Sequence, residues 1–466
     1  MRNSYLYITL LAVLGFNAEA FGQSLQSPPR LVVSIAIDQL RSDYMESNFP
    51  LYGEAGLKRL LNNGLVFTHA SYPFVPIDHA SATATIATGT TPYYHGIPSS
   101  EWLNRNTLRP ISCTDDDKYK ASPARLESST IGDELKISTQ GLARVFAFAP
   151  NASTAILSAG HAADGVAWIE NAKWNISSYY TNEWLDSYVR FYAPETDYNK
   201  SITQIVLNCI EQASVGTDET TDFISIEYTP CKQASYKQDA ACQIDGYLSI
   251  DREIATLTEA IEQKVGKEGV LFVLTGTGYF KEEERKEEES KYRIPTGKLN
   301  ITRTSDLLNL YFGAVYGNGR YIEAHYKNHI FLNQKLFEQK NIRKEEALRR
   351  AQEFLLQIEG IRNVYTSSQL LTSDNLQWEK IRNGFCIDKC GDLLIDVAPG
   401  WQLIDENIQQ APTHRVGNII FPIIFYGSNI KARKIDTPVT VDRIAPTLAK
   451  SIRIRAPNAC SATPLF

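Results

Sequence analysis

Short apolar runs rich in β-branched residues punctuate the chain at wide intervals: Leu31–Ile37, Val145–Ala149, Phe223–Ile226, Val270–Leu274, Asp392–Val397 and Phe421–Tyr426. Each is continuous rather than alternating, the pattern of a strand covered on both faces, and each is followed by a loop and a helical period. The pattern predicts an α/β fold with a mainly parallel central sheet flanked by helices, with function at the loops that leave the strands' carboxyl ends. Residues 281–371 read differently: charge is dense and the period is helical, as in Lys344–Leu356. They are expected to form a charged helical insertion or cap subdomain. The run Lys281–Glu289 mixes both signs without an apolar face, as a solvated helix or mobile loop does.

The one long apolar run near the start, Tyr5–Phe16, follows Arg2 and precedes Ala18-Glu19-Ala20. It is shorter than the roughly 20 residues that span a bilayer, and small residues stand at cleavage spacing. Residues 1–20 therefore read as a secretory signal, and 21–466 as an exported mature α/β chain without a transmembrane segment.

With 466 residues, 43% of them hydrophobic, the chain can bury a large core, which excludes disordered and fibrous classes. Lys and Arg number 47 against 53 Asp and Glu, so no basic field invites nucleic acid. The seven cysteines fall in the mature part, and an odd count leaves at least one unpaired. Cys386 and Cys390 form either a local disulfide or two buried thiols, since no second Cys or His pair stands at zinc-site spacing.

Candidate chemistry gathers at two places. Asp38 ends the first strand, as a functional carboxylate or as a cap for the following loop. Asp78 is a good N-cap, the small residues Ala80–Ala87 suit a tightly packed helix, and Gly89 can stop it, which puts His79 at a helix N-terminus where backbone N–H groups attract anions. A hydrogen-bonded structural histidine is the alternative there. His95 and His161 read as structural, and His414 as structural or substrate-edge.

Around these residues the chain resembles the alkaline phosphatase superfamily, more closely its branch of exported bacterial phosphatases and nucleotide pyrophosphatase/phosphodiesterases. The resemblance is carried by the strand ending in Asp38, by Thr88-Gly89-Thr90-Thr91-Pro92 with His95-Gly96-Ile97, by Ala155–His161, by Gly391–Trp401, and by Phe425-Tyr426-Gly427 with Ile444–Leu448, nearly end to end and in order. It implies two zinc ions that activate a Thr or Ser nucleophile for in-line phosphoryl displacement.

Placed on this sequence, the family's positions are mostly replaced. Asp38 matches the first Asp ligand, whereas the nucleophile falls on His79 and the following His on Thr83. The Asp and His of the next strand end fall on Glu227 and Cys231, the next pair on Thr277 and Gly278, and the last His on Ile420. Phosphate-contacting positions correspond to Ser100, Asn151 and Ser153. The resemblance thus implies Asp38, Glu227 and Cys231 as the surviving metal positions, His79 as the catalytic candidate, and Ser100, Asn151 and Ser153 as neutral substrate-binding groups. No cofactor is the expectation, a single atypical zinc the alternative. The expected function is a non-catalytic scaffold or binder of a phosphate-containing small molecule or a protein partner. The alternative is a hydrolase of phosphate mono- or diesters rearranged around His79 and Asp38, with Ser81 or Thr83 as nucleophile under a shifted alignment.

Overall fold

The computed structural model describes residues 27–230, 240–278, 295, 297–405 and 419–466. The signal segment, Cys231, the run Lys281–Glu289 and His414 lie outside the described residues.

A ten-stranded sheet forms the body. Its strands are β1 (Leu31–Ile37), β2 (Leu65–Ser71), β3 (Val145–Ala149), β4 (Gly165–Glu170), β5 (Lys173–Ile176), β6 (Asp222–Tyr228), β7 (Val270–Gly276), β8 (Phe421–Gly427) and β9 (Arg433–Ile435), in the order β9-β2-β8-β7-β1-β6-β3-β4-β5, with Val439–Thr440 paired to β2. β7, β1, β6, β3 and β4 run parallel, and β8 is antiparallel to both neighbours. The five central strands β1, β3, β6, β7 and β8 are buried almost throughout, because Val, Ile and Phe meet covering helices on both faces. Register then fixes the site. Ile37 aligns with Tyr228 and with Gly276, so the residues leaving β1, β6 and β7 emerge side by side.

Two short helices aim at that edge. α1 (His79–Thr88) buries every residue after His79, and all of these but Ile86 are Ala, Ser or Thr, small enough for close approach. Its start is fixed by a capping box between Asp78 and Ser81, and its end by Gly89 at φ 67°. α2 (Ala152–Ala159) is capped by Asn151, whose Oδ1 accepts from Thr154 N at 2.9 Å.

The cap corrects the sequence reading in two respects. Leu393–Val397, expected in the main sheet, instead joins a separate four-stranded antiparallel sheet with Ile322–Tyr326, His329–Leu332 and Ile361–Thr366. The subdomain is therefore not simply helical and its described part runs past residue 371. Its own core includes Leu299, Phe312, Leu348, Leu355, Leu393 and Leu403, contributed in part by α3 (Ile301–Tyr316) and α4 (Lys344–Leu355). The partners of Leu393–Val397 are only partly buried, as in Ile322–Tyr326 and Ile361–Thr366, so a search for continuous apolar runs passes over them.

Candidate functional site

Asp38 follows β1 with its N–H bonded to Tyr228 O at 2.8 Å, and its side chain is held on both oxygens. Thr277, leaving β7, donates its hydroxyl to Asp38 Oδ1 at 3.1 Å, and Gln39 Nε2 donates to Oδ2 at 3.1 Å. Gln39 adopts φ 55°, which costs a non-glycine residue energy; its N–H to Thr277 Oγ1 at 3.1 Å and its carbonyl to Tyr247 O–H at 3.1 Å hold it there.

Glu227 lies within β6 with no solvent exposure, and burial raises its pKa. A buried carboxylate needs partners. His79 Nε2 makes a close hydrogen bond to Glu227 Oε1 and stands 3.7 Å from Asp38 Oδ1, while Asn151 Nδ2 reaches Glu227 Oε2 at 3.5 Å. Burial alone would keep the His79 ring neutral, but the carboxylates of Glu227 and then Asp38 outweigh it and carry its pKa up to about 10. One donor atom from each of Asp38, His79 and Glu227 lies within 4.8 Å of the others. The structure thus brings three of the expected site residues together. Cys231 lies outside the described residues.

Ser100, Asn151 and Ser153 stand near this cluster, and each already donates a hydrogen bond to a protein acceptor. Ser100 gives both its N–H and its hydroxyl to Asp78 Oδ1, each at 2.6 Å. Ser153 donates to Asn151 Oδ1 at 2.7 Å, and Asn151 donates to Glu227. The hydroxyls of the shifted alignment are committed as well: Ser81 donates to Asp78 O at 2.8 Å and Thr83 to His79 O at 3.0 Å, both buried in α1.

Among the described residues, the side chains at the family's ligand positions do not fit a two-zinc centre. Beyond Thr277, Gly278 turns at φ 62°, and a Cβ there would stand 3.0 Å from Phe421 Cε1 and nearer still to the Tyr72 ring. Tyr72 is locked by its hydroxyl on Gly276 O at 3.0 Å and packs on Phe421 and Phe74 with centroids 5.5 Å away in each case. Aromatic rings therefore crowd the place from which a side chain at 278 would reach the cleft, and Ile420 offers no donor. Sequence reasoning missed this wedge, and missed Thr277 and Gln39 as the groups that hold Asp38. Only the adjacency of β1 and β7 reveals the latter.

His95 and His161 are tied into hydrogen bonds away from this cluster. His95 is buried, accepts from Ile97 N on Nδ1 at 3.2 Å and pairs with Thr85 Oγ1 at 3.1 Å; burial lowers its pKa to about 3. His161 bridges Asp133 and Leu126 O at 3.1 Å each. Cys386 and Cys390 are buried thiols, Cys386 donating to Pro92 O at 2.9 Å.

A sheet flanked by helices, with a carboxylate and histidine cleft at its strand ends, defines an alkaline phosphatase-like α/β protein. A family model for type I phosphodiesterase / nucleotide pyrophosphatase matches residues 32–417, and the chain belongs to that family. A calcium-transporting ATPase of Myroides odoratus is 24% identical over 94% of each chain. Alkaline phosphatase PafA of Elizabethkingia meningoseptica is 22% identical over 98% of each. The crystal structure of wild-type PafA superimposes with a TM-score of 0.81 at 21% identity, covering 94% of this chain and 98% of that one, and so shares its fold.

Proposed function

We propose that this chain is an exported, non-catalytic member of its family, serving as a scaffold or a binder of a ligand or protein partner. The observation that carries the reading is the state of His79. The residue at the start of α1, where the resemblance places a nucleophile, is an imidazole held between Glu227 and Asp38. Phosphoryl transfer by this fold needs a nucleophile with a free lone pair and two ions to clamp the attacking and leaving oxygens. Against burial, the carboxylates raise the pKa of His79 to about 10 and keep a proton on its ring, which leaves it no free lone pair; Ser81 and Thr83 are buried inside α1, and Gly278 and Ile420 supply no metal donor.

The same bonding bears on the occupant. A phosphate ester needs donors, yet those of Ser100, Asn151 and Ser153 already serve protein acceptors, and Asp38, Asp78 and Glu227 crowd one imidazole with negative charge. A protein partner or a cationic ligand suits this surface better than a phosphate. Export rests on the leader-like residues 1–20; no helix of the described residues is long and apolar enough to cross a membrane.

The test is hydrolysis of p-nitrophenyl phosphate and bis-p-nitrophenyl phosphate at stoichiometric protein, with and without added zinc. No release above the buffer rate is expected. Zinc-dependent turnover that disappears in His79→Ala would favour the rearranged hydrolase instead.

A further inference from the structure

We propose that the interior between the sheet and helices α1 and α2 holds a site for ordered water, bound by the hydroxyls of Ser34, Ser225 and Thr154. It lies back along β1 and β6 from the strand-end cluster, and it stands whether or not that cluster turns over substrate.

Small residues open the space. Side chains alternate along a strand, so Ser34 and Ala36 share one face of β1, and Ser225 and Glu227 share one face of β6. Ser34 aligns with Ser225 across the two strands, which puts two hydroxyls side by side in the middle of strands rich in Val, Ile and Phe. Ala36 beside them is short. The helix residues that border the same space, Thr83 on α1 and Thr154 and Ser158 on α2, are short as well, and a gap of about 390 Å³, approaches included, is left between the layers. A water takes about 30 Å³, so the gap admits at least one.

Chemistry decides what fills it. Buried hydroxyls need partners. Thr83 donates to His79 O at 3.0 Å and Ser158 to Ala155 O at 3.3 Å, which leaves the other three. Burial raises the pKa of Glu227 and the Thr154 hydroxyl acts against that, so the two lie close together, yet Thr154 Oγ1 meets no protein group in hydrogen-bond geometry. Thr154 is 2% exposed, so bulk water does not serve it. Ser34 and Ser225 have no hydrogen-bond partner among the described residues either. They keep 6% and 8% exposure while Val33, Ile35 and Ile224 beside them keep none, because their hydroxyls face the gap. A cavity lined by apolar groups stays dry, whereas three unpartnered hydroxyls offer a water the two to four partners that hold it.

The deciding experiment is magnetic relaxation dispersion of the water oxygen on the full-length mature protein, which counts internal waters held longer than the protein takes to tumble, with the melting temperature recorded alongside. The double change Ser34→Ala and Ser225→Ala should remove the contribution of at least one such water and lower the melting temperature, because Thr154 then loses its partner as well. An unchanged count would overturn the proposal, as would a melting temperature that stays level or rises, the result of deleting hydroxyls that had no partner to lose. Should the variant fail to fold, a crystal of the unaltered protein under xenon pressure decides. A water at hydrogen-bond distance from Ser34, Ser225 and Thr154 is expected there; xenon in that place, or an empty gap, would overturn the site. Turnover of p-nitrophenyl phosphate bears on the functional reading alone.

Discussion

Gly278 lies against the ring of Tyr72 so closely that the backbone there accepts no side chain without displacing an aromatic group. Tyr72 cannot swing away freely, because its hydroxyl is anchored on Gly276 O, two residues before Gly278. The wall of the cleft is therefore a packed aromatic surface.

Gly278→Ala is expected to destabilise the fold by about 1–3 kcal/mol, through overpacking and through a left-handed backbone that a Cβ disfavours. Thermal or urea unfolding measures it. Combining the change with Tyr72→Leu should recover part of the loss; an additive double mutant would show that the two residues do not compete for space.

Thr277→Val removes the hydroxyl that joins Asp38 Oδ1 and accepts Gln39 N–H. A loss of about 1–3 kcal/mol is expected, since both partners are left short of a bond in a largely buried place. Thr277→Ser should retain most of the stability. Equal loss in both variants would place the effect on packing rather than on the hydroxyl.

Asp392 joins the body to the cap, pairing with Arg105 Nη1 at 3.2 Å and with Lys344 Nζ at 2.9 Å. Burial would raise its pKa, but Arg105, then Lys344 and the Leu332 N–H, outweigh that and lower it. A carboxylate with a depressed folded pKa adds stability that is present in full above its unfolded pKa of about 3.9 and is lost as the pH falls through the folded value. Unfolding midpoints should therefore drop in that acid window, and Asp392→Asn should flatten the drop while lowering stability at neutral pH. An unaltered acid profile in the variant would contradict the role.

His95 gives a pH effect at higher values. Its pKa is held down to about 3 by burial, so the unfolded chain binds the proton more readily. Stability should decline as the pH falls below about 6.5, the unfolded value. Measuring the imidazole resonance of His95 by NMR checks this directly: it should stay neutral at pH 5, and titration near 6.5 would refute the assignment.

How much of this was legible in the sequence follows from what each feature depends on. The strand before Asp38, the cap at Asp78 and the small-residue helix after His79 are local patterns, and each stands where the pattern placed it. Glu227 could be aligned because it ends a continuous apolar run. The bond between His79 and Glu227 could not be read, since it joins the start of α1 to β6 across a long stretch of sequence. The Tyr72 and Phe421 wall is equally invisible, as ordinary core aromatics give no sign of which backbone they face. Leu393–Val397 went to the wrong sheet because a continuous apolar strand carries no label saying which core it enters.

The central claim is that no phosphoryl transfer occurs at the cluster of Asp38, His79 and Glu227. Single-turnover measurement with bis-p-nitrophenyl phosphate and protein in excess, after loading with zinc, tests it most directly. The account predicts p-nitrophenol release no faster than in buffer and the same in His79→Ala. Release that exceeds the buffer rate and vanishes in that variant would contradict it.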